Sequence, residues 1–170
     1  MYFIKLQDVF MIRRATMKYS TRLSDAVHLM ILVYLSKDDT ITSTTIANSI
    51  QTNPSYVRQI MAQLKAEGLL NSSQGLSTTK LGISPEKITL LSIYQAVEKG
   101  KPLLHLDTHT NPKCGVGVNI QFALADYYEQ IQKDIECSMS KITLQNIIDC
   151  FFQRTTTAEL PHCLCETETQ

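Results

Sequence analysis

Between Asn53 and Gly68 the apolar residues Val57, Ile60, Met61 and Leu64 recur at spacings of three and four, which sets them on one stripe of an α-helix. Asn53 suits the N-cap, and Pro54 suits the first helical position, where an N–H would have no intrahelical partner. Ser55, Tyr56, Arg58, Gln59 and Gln63 occupy the other face or its flanks. A shorter helix is predicted just before, over Ser43 to Ser49, with Ile46, Ala47 and Ile50 inward and Gln51-Thr52 as the turn. After Gly68 the period changes. Leu69 and Leu70 open a strand, Gln74-Gly75 suits a turn, and Leu76 to Leu81 returns as a second strand. Two short helices, a tight turn and a hairpin make a winged helix-turn-helix, whose second helix has the width of a DNA major groove.

Flanking segments extend this unit. Upstream, Leu23, Ala26, Val27, Met30, Ile31, Tyr34 and Leu35 predict a long helix with one buried stripe. Downstream, Thr89 is an N-cap for LLSIYQAVEK, Gly100 a stop, and Ile93, Ala96 and Val97 the inward residues. Pro102, Pro112 and interspersed polar residues make 101–115 a linking loop. Helical period returns from Val116 to Met139, where Ile120, Leu124, Tyr127, Tyr128, Ile131 and Ile135 form an apolar face. A long helix beyond a small domain is read as a pairing surface, with packing on its own domain as the alternative. The fold expected is mainly α with a small β-hairpin: an extension over 1–16, a winged domain over 17–100, the loop, dimerisation helices over 116–150, and a polar tail over 151–170. Lys5, Asp8, Arg13 and Arg14 make the extension too charged for a membrane span or secretory signal, Met17 is a second possible start, and the expected location is the cytoplasm.

Arginine and glutamine hydrogen-bond base edges, while serine, tyrosine and lysine hold phosphates, so the expected DNA-binding residues are Asn53, Ser55, Tyr56, Arg58, Gln59, Gln74 and Lys80. Arg58 is the first choice for a base contact, Tyr56 and Gln59 are its neighbours, and Ser55 and Lys80 are assigned to the backbone. A solvated polar helix face and hairpin have the same composition. The 170 residues are 44% hydrophobic, enough to bury one modest core. The net charge of zero conceals an asymmetry: residues 1–82 hold nine Lys or Arg against five Asp or Glu, and residues 83–170 hold seven against eleven. The excess of positive charge falls in the half with the expected reading helix.

The cysteines are Cys114, Cys137, Cys150, Cys163 and Cys165. Cys114 lies where the linking loop meets the long helix, a place where helix-terminal N–H groups favour a thiolate, so it is a possible redox sensor as well as a possible inert thiol. His105, His109 and Cys114 fall short of the four ligands of structural zinc, and the spacing of Cys163 and Cys165 suits neither a redox pair nor a zinc knuckle. No metal or cofactor is expected. With no nucleophile–base pair, paired carboxylates or phosphate-binding glycine loop in a credible arrangement, neither is catalysis.

The segments MKYSTRLSDAVHLMILVYLS, TTIANSIQTNPSYVRQIMAQLKAEGLLNSSQG, ITLLSIYQAVE, NPKCGVGVNIQFAL and KITLQNIID, in this order over residues 17–149, resemble the Rrf2 family of bacterial winged-helix transcription regulators. The resemblance implies a homodimer whose winged domains bind palindromic promoter DNA and whose long C-terminal helix crosses to the partner. It puts the reading helix at Asn53 to Glu67 and the wing at Leu69 to Leu81. Iron–sulfur members carry three closely spaced cysteines in the loop before the dimer helix. This chain has only Cys114 there, and LSTTKL replaces the glycine-rich wing tip, so the cluster-free branch is the nearer match. A repressor is expected, with thiol oxidation or a small-molecule effector acting near residues 103–120. The alternative is a winged-helix protein-interaction module that binds no DNA.

Overall fold

The computed structural model describes residues 20–36, 41–72, 79–107, 109–111 and 113–155. Its elements are α1 (Arg22–Leu35), α2 (Ser43–Ile50), α3 (Pro54–Ala66), β1 (Leu70–Ser72), β2 (Thr79–Leu81), a 3₁₀ turn (Pro85–Lys87), α4 (Leu90–Glu98), α5 (Gly115–Ser140) and α6 (Leu144–Thr155). The strands pair antiparallel, with Leu70 opposite Leu81, Asn71 opposite Lys80 and Ser72 opposite Thr79. The architecture is mainly helical with a small hairpin and a long C-terminal helix, as the periodicity predicts. The proposed hairpin turn at Gln74-Gly75 lies outside the described residues.

Local signals account for the helix ends. Thr42 accepts the N–H of Thr45 at 3.1 Å to start α2, and Gln51 ends it in a left-handed conformation at φ 61°. Asn53 Oδ1 accepts the N–H of Tyr56 at 2.8 Å, and Pro54 opens α3. Thr89 and Ser92 satisfy each other's backbone N–H groups at the start of α4, both at 3.1 Å. Gly100 follows in a left-handed conformation, where the missing Cβ avoids strain.

The core gathers one stripe from each of these helices. Val57, Ile60, Met61 and Leu64 of α3 pack with Ile46 and Ala47 of α2, with Ile93, Ala96 and Val97 of α4, and with Leu69 and Leu70 at the hairpin base. On α1 the stripe differs from the expected one. Ala26, Leu29, Met30 and Val33 are buried, whereas Tyr34 and Leu35 are exposed. Apolar residues surround most of this helix, so spacing alone leaves its rotation open and packing decides it.

The C-terminal helices also differ from expectation. Leu144 and Ile148 of α6 are buried in the same core, and the backbone joins them to it through Leu144 N to Ile88 O and Leu90 N to Ile142 O, both 2.8 Å. The helix runs on through Phe151–Thr155, into the segment read as a polar tail, and the rings of Phe151 and Phe152 meet edge to face there. By contrast, α5 has no buried residue among those described, and Ile120, Phe122, Tyr127 and Ile131 are exposed along it.

Candidate nucleic-acid interface

The buried stripe of α3 dictates what its other face presents. Once Val57, Ile60 and Leu64 point into the core, Ser55, Arg58, Gln59, Ala62 and Ala66 are exposed together. The two alanines keep one end of this face low, so the longer side chains at the other end reach furthest. Arg58 spans the two helices of the motif, donating to Ser43 Oγ at 3.3 Å and to Ser55 Oγ at 3.1 Å. These weak, exposed contacts hold the guanidinium over the junction of α2 and α3 while leaving it able to exchange partners. Ser43 was not among the residues singled out from the sequence, because the reach of Arg58 back to α2 depends on how the helices cross.

Other expected residues fall in different places. Asn53 is at the same end of α3, its Oδ1 committed to the cap. Lys80 is exposed on β2 opposite exposed Asn71, so one face of the hairpin carries a cation. Gln74 lies outside the described residues.

Tyr56 departs from the expected reading face. Its hydroxyl turns to α1 and donates to Asp25 Oδ2 at 2.8 Å. Partial burial and the carboxylate beside it push the phenol up to about 12. The Arg22 guanidinium stands 5.7 Å from the centre of the Tyr56 ring, within cation–π range.

Away from this face, residues 102–106 lie along α5. Leu103 N donates to Gln132 Oε1 at 3.0 Å, and Asp107 N to Gln121 Oε1 at 3.1 Å. Between loop and helix runs an open groove of about 640 Å³, lined among others by Leu104, His105, Leu106, Tyr128 and Glu136. Cys114 is exposed at the N-cap of α5, its Sγ accepting the N–H of Gly117 at 3.4 Å. His109 is instead beside Asp107, at 3.6 Å.

Residues 19–150 match the Rrf2 family, described as iron-dependent transcriptional regulators. The chain belongs to the Rrf2 family. YwnA of Bacillus subtilis (strain 168), a candidate HTH-type transcriptional regulator, is 35% identical over 133 residues, which cover 78% of this chain and 98% of YwnA. A crystal structure of a candidate DNA-binding protein has 34% identity and a TM-score of 0.60, with 75% of this chain and 98% of that one covered. CymR, the global cysteine regulator of Bacillus subtilis, is 20% identical and shares the fold at a TM-score of 0.54, over 78% of this chain and 96% of its own. Rrf2 proteins are regulators rather than catalysts, which agrees with the missing catalytic constellation in the sequence.

The iron in the family description finds no matching donor set among the described residues. Cys114 supplies a single thiol, and no three His, Cys, Asp or Glu side chains are grouped so as to hold a metal ion. Among the described residues, too, no helix is long and apolar enough to cross a membrane.

Proposed function

We propose that this Rrf2 protein is a homodimeric, sequence-specific DNA-binding regulator, acting as a repressor. The observation that carries the reading is the exposed set Ser55, Arg58 and Gln59 on α3, with Ser43 beneath Arg58 and Lys80 on the adjoining hairpin. Arg58 and Gln59 have the donors and acceptors to read base edges. Ser43, Ser55 and Lys80 suit phosphate contacts that set the register. Homodimerisation rests on α5, whose Ile120, Tyr127 and Ile131 lie in the open at helical spacing. Two copies joined there would present two reading helices to a two-fold symmetric site.

Selection from random duplexes at moderate salt tests the reading directly, and enrichment of a two-fold symmetric sequence is the expected outcome. On that sequence Arg58→Ala is expected to lose about 1–3 kcal/mol of binding free energy and to relax preference at one position in each half-site. Failure to enrich any sequence overturns DNA reading. Unchanged affinity and preference in folded Arg58→Ala removes Arg58 from it.

An effector would act near the segment 103–120, which joins the winged domain to α5, carries Cys114 and forms one wall of the apolar groove. A change there alters the spacing of two reading helices without touching a base. In the oxidative version Cys114 responds, and Cys114→Ser should retain operator binding under oxidant where the wild type loses it. Equal responses in the two proteins exclude Cys114 as the sensor; the alternative effector is a small molecule in the groove.

A further inference from the structure

The polar side chains at the start of α1 tie it to α3 and to the end of α4. Arg22 Nε donates to the carbonyl of Val97 at the end of α4 at 3.0 Å, and one of its Nη atoms donates to Gln63 Oε1 at 2.5 Å. One turn further along α1, Asp25 Oδ2 accepts the Tyr56 hydroxyl at 2.8 Å and the Thr21 hydroxyl at 3.0 Å. Tyr56 and Gln63 are seven residues apart on α3, which separates the anchors by about 10 Å along its axis and keeps them on nearly the same side. That side lies between the buried stripe and the exposed reading residues.

An apolar stripe decides which face of α3 is buried, but because burial is not directional it sets the fine rotation of the helix less sharply than hydrogen bonds do. Hydrogen bonds are directional and lose strength steeply with misalignment. For a helix of about 5–6 Å radius, side chains included, a rotation of about 20° moves a surface side chain by about 2 Å. A base-edge hydrogen bond does not survive that displacement. Two anchors spaced along the axis limit both rotation and tilt.

We propose that Arg22 and Asp25 are positioning residues that set the pose of the reading helix through Gln63 and Tyr56, so that operator selectivity depends on side chains engaged inside the protein. This rests on the DNA-binding reading above. It assigns Tyr56 to the clamp and removes it from the set of residues that contact DNA.

The test is a double-variant cycle in the full-length dimer with Tyr56→Phe, Asp25→Ala and both together. Tyr56→Phe retains the ring over which Arg22 lies and removes only the hydroxyl. Affinities for the selected operator and for a scrambled duplex are measured across a salt series and referred to the folded fraction from circular dichroism. Each single change is expected to lower the operator-to-scrambled ratio about tenfold, and the double change by no more than either one. Asp25→Asn, which still accepts the hydroxyl, should remain within about threefold of wild type, and the salt slope of Tyr56→Phe should match that of wild type. The clamp is overturned if Tyr56→Phe retains full selectivity or if the two losses multiply. It is also overturned if the salt slope of Tyr56→Phe falls by about one, which marks a phosphate contact instead. A wild-type protein with no sequence preference fails at the earlier step and overturns the DNA-binding reading together with the clamp.

Discussion

Single residues here act mainly through neighbours that the chain order does not reveal. His28 on α1 has Nε2 at 3.0 Å from Ser49 Oγ on α2, and partial burial lowers its pKa below the ordinary 6.5, against the opposing pull of Asp25. The folded state therefore binds a proton at lower pH than the unfolded chain. Stability should be complete above the unfolded value and decline as pH falls through the window beneath it, until folded His28 protonates as well. Thermal unfolding at about pH 7.5 and about pH 5.5 should show this loss, and His28→Gln should reduce it. An identical decline in the variant would assign the effect to other groups.

At the scale of elements, the junction between α3 and the hairpin is tightly confined. The chain turns after α3 at Gly68, with φ +69°, and returns from β2 at Gly82, whose N–H donates to Leu69 O at 2.9 Å. A Cβ on Gly82 would stand 2.0 Å from the carbonyl oxygen of Gly68, and a backbone atom cannot yield as a flexible side chain does. Gly82→Ala is expected to cost about 2 kcal/mol or more in chemical denaturation and to shift the hairpin relative to α3. Wild-type stability in that variant would mean that the strands separate from the helix at little cost. Gly82 carries no periodic or motif signal in the sequence, since the need for glycine arises where two distant segments cross.

For the whole molecule the decisive contrast is between α5 and α6. The shorter helix is drawn into the winged core by Leu144 and Ile148, whereas α5 leaves Ile120, Tyr127 and Ile131 in the open. An apolar row of this kind is the face that a second copy would cover. A charge placed in its middle has no partner once the face is buried, so Ile131→Asp is expected to convert the proposed dimer to a folded monomer in sedimentation equilibrium. Operator affinity should drop about 100-fold as two linked half-site contacts become one. A dimer that persists at wild-type strength would place the interface elsewhere.

What the sequence determined by itself was set by short-range physics. The stripe Val57, Ile60, Met61 and Leu64, the caps Asn53 and Thr89, and the inward residues of α4 all follow from spacing and from hydrogen bonds that reach three residues along the chain. From the same stripe, the exposure of Ser55, Arg58 and Gln59 on α3 could be read in advance, as could the apolar run on α5. Tertiary structure decided whatever several segments determine jointly. It chose the rotation of α1, burying Leu29 and Val33 and exposing Tyr34 and Leu35, because a helix apolar on most sides takes its orientation from what it packs against. It turned the Tyr56 hydroxyl to Asp25, thirty-one positions away in the chain, since a phenol at the edge of a buried stripe goes to whichever acceptor the fold brings near. And it folded α6 back onto the domain that precedes α5, a placement that depends on Leu144 and Ile148 meeting apolar surface already formed by the helices before them.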